Sequence, residues 1–88
     1  MNFDWDESKN SINRDKHGVS FEDAQEAFFD PHRLIRADTL HSNTEPRFFC
    51  YGMVADRVLT VRFNLHDGSI RIFGAAWWWK GAWEYENR

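Results

Sequence analysis

The sequence lacks most of the features that mark secreted, membrane-bound or metal-binding proteins. Its single cysteine, Cys50, cannot form an internal disulfide, and no cysteine cluster is available for structural zinc. The four histidines stand far apart, at positions 17, 32, 41 and 66, without metal-ligand spacing. No apolar run reaches the ~18 residues that span a bilayer. The acidic start Met1–Asp6 differs from a signal peptide. These absences favour a cytoplasmic protein that uses no metal or other cofactor.

Positive charge is also scarce. Eleven lysines and arginines face fourteen aspartates and glutamates, so the formal net charge is −3. Nucleic-acid binders usually carry a basic excess, because neutralising phosphates supplies much of their affinity. The overall charge therefore counts against RNA as a ligand, although an acidic protein can still carry a local basic face.

The residues that are present predict one α+β domain over residues 1–88. A hydrophobic content of 42% suffices for one modest core. We expect two N-terminal helices packed on a central antiparallel sheet, followed by a closing C-terminal helix.

Capping residues define the two N-terminal helices. Asp6 is a good N-cap for a helix that begins at Glu7, and Gly18 suits the left-handed position after its end. Ser20 caps a second helix, whose apolar stripe is Phe21, Ala24, Ala27 and Phe28. Asp30 and Pro31 end it.

Short segments with a period of two predict the strands. They are Phe3–Trp5, Leu34–Ala37, Arg47–Val54, Val58–Leu65 and Ser69–Phe73. Gly74 is expected to end the sheet, and Ala75–Glu86 is expected to form the closing helix.

The hairpins predict which residues share a face of the sheet. Asp67-Gly68 is a tight-turn signal that pairs His66 with Ser69, and a two-residue loop at Ala55-Asp56 pairs Phe49 with Arg62. The predicted core face carries Phe48, Cys50, Val54, Leu59, Val61, Phe63, Leu65, Ile70 and Ile72. The other face, called the arginine face below, carries Arg47, Phe49, Tyr51, Thr60, Arg62, Asn64, Arg71 and Phe73. Arginines beside exposed rings are typical of single-stranded RNA surfaces. The alternative is ordinary cross-strand packing with solvated arginines.

Four tryptophans fall within seven residues near the C-terminus. Trp79 and Trp83 share a helix face, whereas Trp77 and Trp78 must point elsewhere. One short helix cannot easily bury four indoles, so we expect a partner surface that includes Trp77, Trp78 and Trp83. The alternative is that they cover the aromatic-rich sheet as core.

Several of these segments resemble the BrnT family of bacterial ribonuclease toxins. The opening block carries the most specific matches, and the strands carry weaker ones. The matching segments are Trp5–Lys9, Asn13–Phe21, Phe28–Pro31, Arg47–Gly52, Arg57–Val61 and Ile70–Ile72.

The resemblance implies a RelE-like fold and a metal-independent endoribonuclease, the toxin of a type II toxin–antitoxin system. In such a reaction the RNA 2′-hydroxyl attacks the adjacent phosphate, so a base, an acid and charge-stabilising cations are needed. The candidate catalytic residues are Lys16, His17, Arg47 and Arg71, and the candidate RNA-binding residues are Arg14, Arg62, Tyr51 and Lys80. Lys16 or His17 would transfer protons. The alternative for His17 is a helix C-cap.

The C-terminal segment departs from the family pattern. Family members follow the last strand with Ser-Ala-Arg-Arg-Ala-Thr and a basic helix, whereas this chain has Ala75, Ala76 and then three tryptophans. Two functions therefore remain open: a nuclease weakened by the lost arginines, and a catalytically silent module that binds an antitoxin or forms a repressor complex. The implied partners are RNA and an antitoxin with a ribbon-helix-helix DNA-binding region, not a membrane. A dimer and a heterotetramer with the antitoxin are both open.

Overall fold

A mixed five-stranded sheet organises the chain, and the computed structural model describes all of residues 1–88. The strands are β1 (Phe3–Asp4), β2 (Leu34–Ala37), β3 (Phe48–Val54), β4 (Arg57–His66) and β5 (Ser69–Ala76). The α-helices are α1 (Glu7–His17), α2 (Phe21–Ala24) and α3 (Trp79–Glu86), with 3₁₀ turns at Gln25–Phe29 and Thr39–His41. The predicted α+β class is confirmed. None of the helices combines the length and apolar character that crossing a membrane requires.

The predicted helix ends of α1 are confirmed. The Asp6 carboxylate accepts hydrogen bonds from the Ser8 hydroxyl at 2.6 Å and the Ser8 backbone N–H at 2.8 Å, and these bonds lower the pKa of Asp6. At the other end Gly18 has a φ of 71°, which a residue without a side chain adopts at no steric cost. Its N–H donates to the Arg14 carbonyl at 2.9 Å.

The second helix is shorter than predicted. Ser20 caps it through a 3.0 Å bond from the Asp23 N–H, but after Ala24 the chain tightens into the 3₁₀ turn Gln25–Phe29. The predicted apolar stripe is nevertheless buried, with Phe21, Ala24, Ala27 and Phe28 each at most 3% exposed. The stripe packs on the core face of the sheet.

The strand register agrees with the prediction, but the strand order adds a parallel edge. His66 pairs with Ser69, Phe49 with Arg62, and Tyr51 with Thr60. The strands lie in the order β1-β5-β4-β3-β2. Since β1 runs parallel to β5, the expectation of a wholly antiparallel sheet was wrong.

The predicted boundary between sheet and closing helix was also wrong. A bulge at Phe73 on β5, opposite Arg62 and Phe63 of β4, changes the register, and β5 continues through Gly74 to Ala76. The helix starts only at Trp79. Trp77 and Trp78 therefore lie in the connection and not in the helix.

The two faces of the sheet are covered unequally. The core face is largely as predicted, although Leu65 at the hairpin end is 65% exposed. On the arginine face, Tyr51 and Thr60 are only 4% and 3% exposed, because α3 packs across them. The contact is at Gly81, where an added Cβ would overlap the Thr60 hydroxyl. On the same face Asn64 is also buried, whereas Phe49, Arg62 and Phe73 are half-buried.

Candidate functional site

A cleft of about 400 Å³ lies between α1 and the open part of the arginine face. We call it the basic cleft. Helix α1 supplies one wall, the sheet supplies the floor, and the connection to α3 supplies the opposite wall. The lining residues are Lys9, Ile12, Asn13, Lys16, His17, Phe49, Thr60, Arg62, Phe73, Gly74, Ala75, Ala76 and Trp78.

The α1 wall is one face of the helix. Its lining residues recur at steps of three and four, which places them side by side along α1. Lys9, Lys16 and His17 bring the basic groups to this wall. At the helix end the Gly18 N–H donates to the Arg14 carbonyl, and His17 is among the residues that line the cleft.

Asn13 fastens α1 to the edge of the sheet. Its side-chain amide donates to the Ala75 carbonyl at 2.9 Å and accepts from the Ala75 N–H at 3.1 Å, as a neighbouring strand would. The same Nδ2 also donates to the Val19 carbonyl at 2.9 Å. These bonds fix the distance between the helix cations and the floor of the cleft.

Asn10 joins α1 to α2 in a similar way. Its side chain is fully buried; its Oδ1 accepts from the Phe21 N–H at 2.8 Å, and its Nδ2 donates to Glu22 at 2.8 Å. The bond from Asn10 lowers the pKa of Glu22. The sequence analysis assigned no role to either asparagine. The available signal was two amides at helical spacing where a docking helix would normally present apolar side chains.

The floor of the cleft carries guanidinium groups on an aromatic ring. Arg62 and Arg47 lie 5.1 and 4.7 Å from the centroid of the Phe73 ring. The predicted pair Arg62 and Phe73 therefore lines the cleft, and Arg47 adjoins it through the same ring. Arginine matches phosphate oxygens geometrically and always carries its charge.

An aromatic wall, formed by Phe49 and Trp78, faces α1 across the cleft. Their ring centroids are 5.7 Å apart and their planes are inclined at 43°. Behind Phe49 lies Tyr51, stacked at 5.8 Å with an angle of 14°. Lys80 is 5.8 Å from the Trp78 ring, so the predicted RNA-binding residue Lys80 lies at this wall.

The charge of the cleft is positive although the chain is acidic. No aspartate or glutamate lines it, while the whole chain has a formal charge of −3. Acidic groups pair elsewhere: Asp30, for example, accepts from Tyr85 Oη at 2.6 Å and from the Met53 N–H at 2.8 Å. Burial opposes ionisation of Asp30, but these bonds outweigh it and its pKa is lowered. The bond to Asp30 also raises the pKa of Tyr85 and holds α3 on the sheet.

Besides Arg47 and Lys80, which adjoin the cleft, three predicted site residues lie away from it. Arg71 forms an ion pair with Asp4 at 3.0 Å, and Arg14 is exposed on another face of α1, near Glu22. Tyr51 is buried under α3, so the expectation that it contacts RNA was wrong; it supports Phe49 instead. Lys9, which is not among the predicted site residues, lines the cleft.

The surroundings of Cys50 exclude it as a nucleophile. The Cys50 side chain is fully buried in the core, and burial raises the pKa of its thiol to about 12. A thiol that stays protonated is a poor nucleophile.

The tryptophans divide between the cleft and the surface. Trp78 lines the basic cleft, and Trp77 is half-buried with Arg57 4.4 Å from its ring. Trp79 and Trp83 are 75% and 57% exposed. Of the three predicted partner residues, Trp83 is therefore the most exposed.

Comparison with known families gives one match. A family described as ribonuclease toxin, BrnT, of type II toxin–antitoxin systems matches residues 5–77. This range includes α1, strands β2 to β5 and most of the cleft lining, but it ends before Trp78. No curated protein matches the chain.

Proposed function

The chain belongs to the BrnT family of ribonuclease toxins of type II toxin–antitoxin systems, and from this premise we propose that RNA is cleaved in the basic cleft. The observation that carries the proposal is that basic residues collect in the cleft while acidic residues lie outside it. Lys9, Lys16 and Arg62 line one cleft that contains no carboxylate, on a protein with excess acidic residues. Such a site attracts the negatively charged phosphodiester. A RelE-like arrangement of α1 and α2 on the sheet is part of this proposal.

Cleavage requires proton removal, charge stabilisation and proton donation, and the lining residues can share these three roles. The RNA 2′-hydroxyl attacks the adjacent phosphorus, and its proton passes to His17, the lining group best suited to proton exchange near neutral pH. Arg62 and Lys16 offset the negative charge that grows on the phosphoryl oxygens. A second proton goes to the leaving 5′-oxygen, for which Lys16 is the nearest predicted donor on the same helix wall. This scheme uses no metal ion.

The other predicted catalytic residues act from the margin of the cleft. Arg47 adds positive potential beside Arg62, since both guanidinium groups lie on Phe73. Arg71 is expected to contribute less, because Asp4 already balances its charge. Arg14 and Lys80 would contact phosphates that enter or leave the cleft.

The departure from the family pattern falls within the cleft itself. Ala76 and Trp78 line it in a segment where family members carry arginines. Losing one such cation costs on the order of a hundredfold in rate when catalysis depends on charge stabilisation. We therefore propose a slow nuclease.

The nuclease proposal is tested on purified protein with single-stranded RNA in excess chelator. We expect products that end in a 2′,3′-cyclic phosphate, and no cleavage where a 2′-deoxy residue precedes the scissile phosphate. Lys16→Ala and His17→Ala should each slow cleavage on the order of a hundredfold or more. Intact RNA at high protein excess would rule out the nuclease.

The lost arginines also favour a second candidate, a catalytically silent module. In that case the protein would bind RNA or antitoxin without cleaving, and a gain of cleavage on restoring arginine at Ala76 and Trp77 would show that these changes silence the site. Cleavage by the unaltered chain would exclude this candidate.

The family implies an antitoxin partner, and we propose that it carries a ribbon-helix-helix DNA-binding region. Trp83 on α3 is the proposed contact, because its indole is 57% exposed and large exposed aromatic side chains often anchor interfaces. Trp77 would lie at the edge of this contact. Co-purification of the adjacent gene product, lost with Trp83→Ala but kept with Leu40→Ala, would support the assignment. Mass measurement of the complex would tell a dimer from a heterotetramer.

A further inference from the structure

The aromatic wall gives the basic cleft a feature that phosphate binding alone does not require. We propose that Trp78 and Phe49 form a base-binding subsite, in which one unpaired nucleobase stacks while its phosphate lies against Lys16 and Arg62. The inference rests on the proposed function of the cleft and identifies its substrate as single-stranded RNA.

The topology places the subsite at a suitable distance from the cations. Helix α1 is fastened to β5 through Asn13, and the strand order continues β5, β4, β3. Neighbouring strands are about 4.8 Å apart, so Phe49 on β3 lies about 10 Å across the floor from β5. Arg62 on β4 lies between them. A single nucleotide, whose base extends away from its phosphate through the sugar, can therefore contact the floor and the aromatic wall together.

The two rings are held in place before any ligand binds. Tyr51 supports Phe49 from behind, and α3 covers Tyr51 at Gly81. The inclination of 43° between Phe49 and Trp78 makes an angled notch, and both side chains line the cleft. Stacking on a fixed ring costs little additional conformational entropy.

The size and shape of the cleft favour an unpaired base. A volume of about 400 Å³ is typical of a pocket for one small ligand. In an RNA duplex the bases are stacked on one another, whereas unpaired bases can turn outward onto aromatic side chains. A duplex would therefore reach the cations but not the aromatic wall.

The subsite changes what determines RNA affinity in this chain. Trp78 and Phe49 line the cleft beside its cations, so base stacking adds to the affinity that phosphate neutralisation supplies. Since salt weakens only the phosphate contacts, binding should be less sensitive to ionic strength in the wild type than in Ala76→Arg.

The test measures binding of the full chain to a short 2′-fluoro oligoribonucleotide, which lacks the attacking hydroxyl. Fluorescence anisotropy at fixed ionic strength gives the affinity. Trp78→Leu keeps an apolar side chain but no ring face, and it should weaken binding on the order of tenfold. Trp78→Phe should retain most of the affinity. Trp79→Leu is the matched control, because Trp79 is 75% exposed and does not line the cleft.

An abasic series identifies the stacked base directly. One abasic position should weaken binding to the wild type on the order of tenfold, and the same position should cause no further loss in Trp78→Leu. Equal affinity for the intact oligonucleotide and its fully abasic form would overturn the subsite, even if Trp78 variants failed to fold. Equal losses of RNA affinity in Trp78→Leu and Trp78→Phe would also overturn the subsite. The same holds if duplex RNA binds as tightly as single-stranded RNA.

The outcome separates the subsite from the nuclease. If the abasic effect is present but RNA with 2′-hydroxyls is not cleaved, the subsite stands and the proposed cleavage fails. If RNA is cleaved while the abasic series and the Trp78 variants have no effect, the nuclease stands and the subsite fails.

Discussion

Gly81→Ala should destabilise the protein, although alanine favours helices. Within a helix, replacing glycine with alanine contributes about 1 kcal/mol of stability. Here the added Cβ would overlap Thr60 Oγ1 and lie 3.0 Å from Tyr51 Cδ1. Forcing an extra methyl group into a packed contact typically costs about 1–3 kcal/mol. The expected net loss is therefore about 0–2 kcal/mol, or up to roughly 15 °C in Tm for a domain of this size.

The double variant with Thr60→Ala isolates the cause of this loss. Thr60 Oγ1 is buried without a hydrogen-bond partner, so its removal breaks no bond and frees the space that the new methyl group needs. In the Thr60→Ala background, Gly81→Ala should stabilise the protein by about 1 kcal/mol. Urea unfolding of the four proteins gives the coupling free energy, expected at about 1–3 kcal/mol. An equal effect of Gly81→Ala in both backgrounds would refute the packing of α3 on Thr60.

Three further predictions concern the α1 attachment, the α3 anchor and the altered cleft wall. Asn13→Leu should lower the free energy of unfolding by at least about 2 kcal/mol, because it leaves the Ala75 N–H and C=O unpaired; an unchanged urea midpoint would contradict this. Tyr85→Phe removes a bond to Asp30, whose lowered pKa contributes stability above pH ~4 that is lost as the pH falls through its folded value. The stability difference from wild type should therefore shrink below pH ~4, and a difference that grows in acid would contradict it. Ala76→Arg should raise the cleavage rate on the order of a hundredfold; no increase would contradict the proposed loss of a cation.

Local signals in the sequence were enough for the helix caps and the strand register. The Asp6 and Ser20 caps depend on neighbouring backbone groups, and the turn at Asp67-Gly68 sets the pairing of β4 with β5 within a few residues. Such short-range patterns need no knowledge of the rest of the fold.

The end of β5 could not be predicted because its partner is distant in sequence. Gly74 looked like a strand terminator, but β5 continues through it after a bulge at Phe73, and Asn13, 62 residues away, binds the Ala75 backbone. The Asn13 side chain pairs with the Ala75 backbone as a neighbouring strand would, but a single side chain leaves no periodic pattern in the sequence.

The residue types of the candidate site could be predicted from the sequence, but the way these residues come together could not. The basic residues of α1 and the arginines of the sheet were identified, but their meeting depends on Asn13. The burial of Tyr51 depends on a glycine in α3 that allows close approach. Trp78 was assigned to a partner surface because the helix was expected to start too early; as part of the preceding connection, it turns into the cleft.

The central claim is that RNA is cleaved in the basic cleft, and single-turnover cleavage by Arg62→Ala tests it most directly. Arg62 lines the cleft, whereas Arg36 on edge strand β2 is exposed, lies outside it, and provides the matched control. The account predicts that Arg62→Ala slows cleavage on the order of a hundredfold, while Arg36→Ala cleaves at the wild-type rate and both variants keep the wild-type Tm. Equal rates for the two variants would contradict the assignment of the cleft.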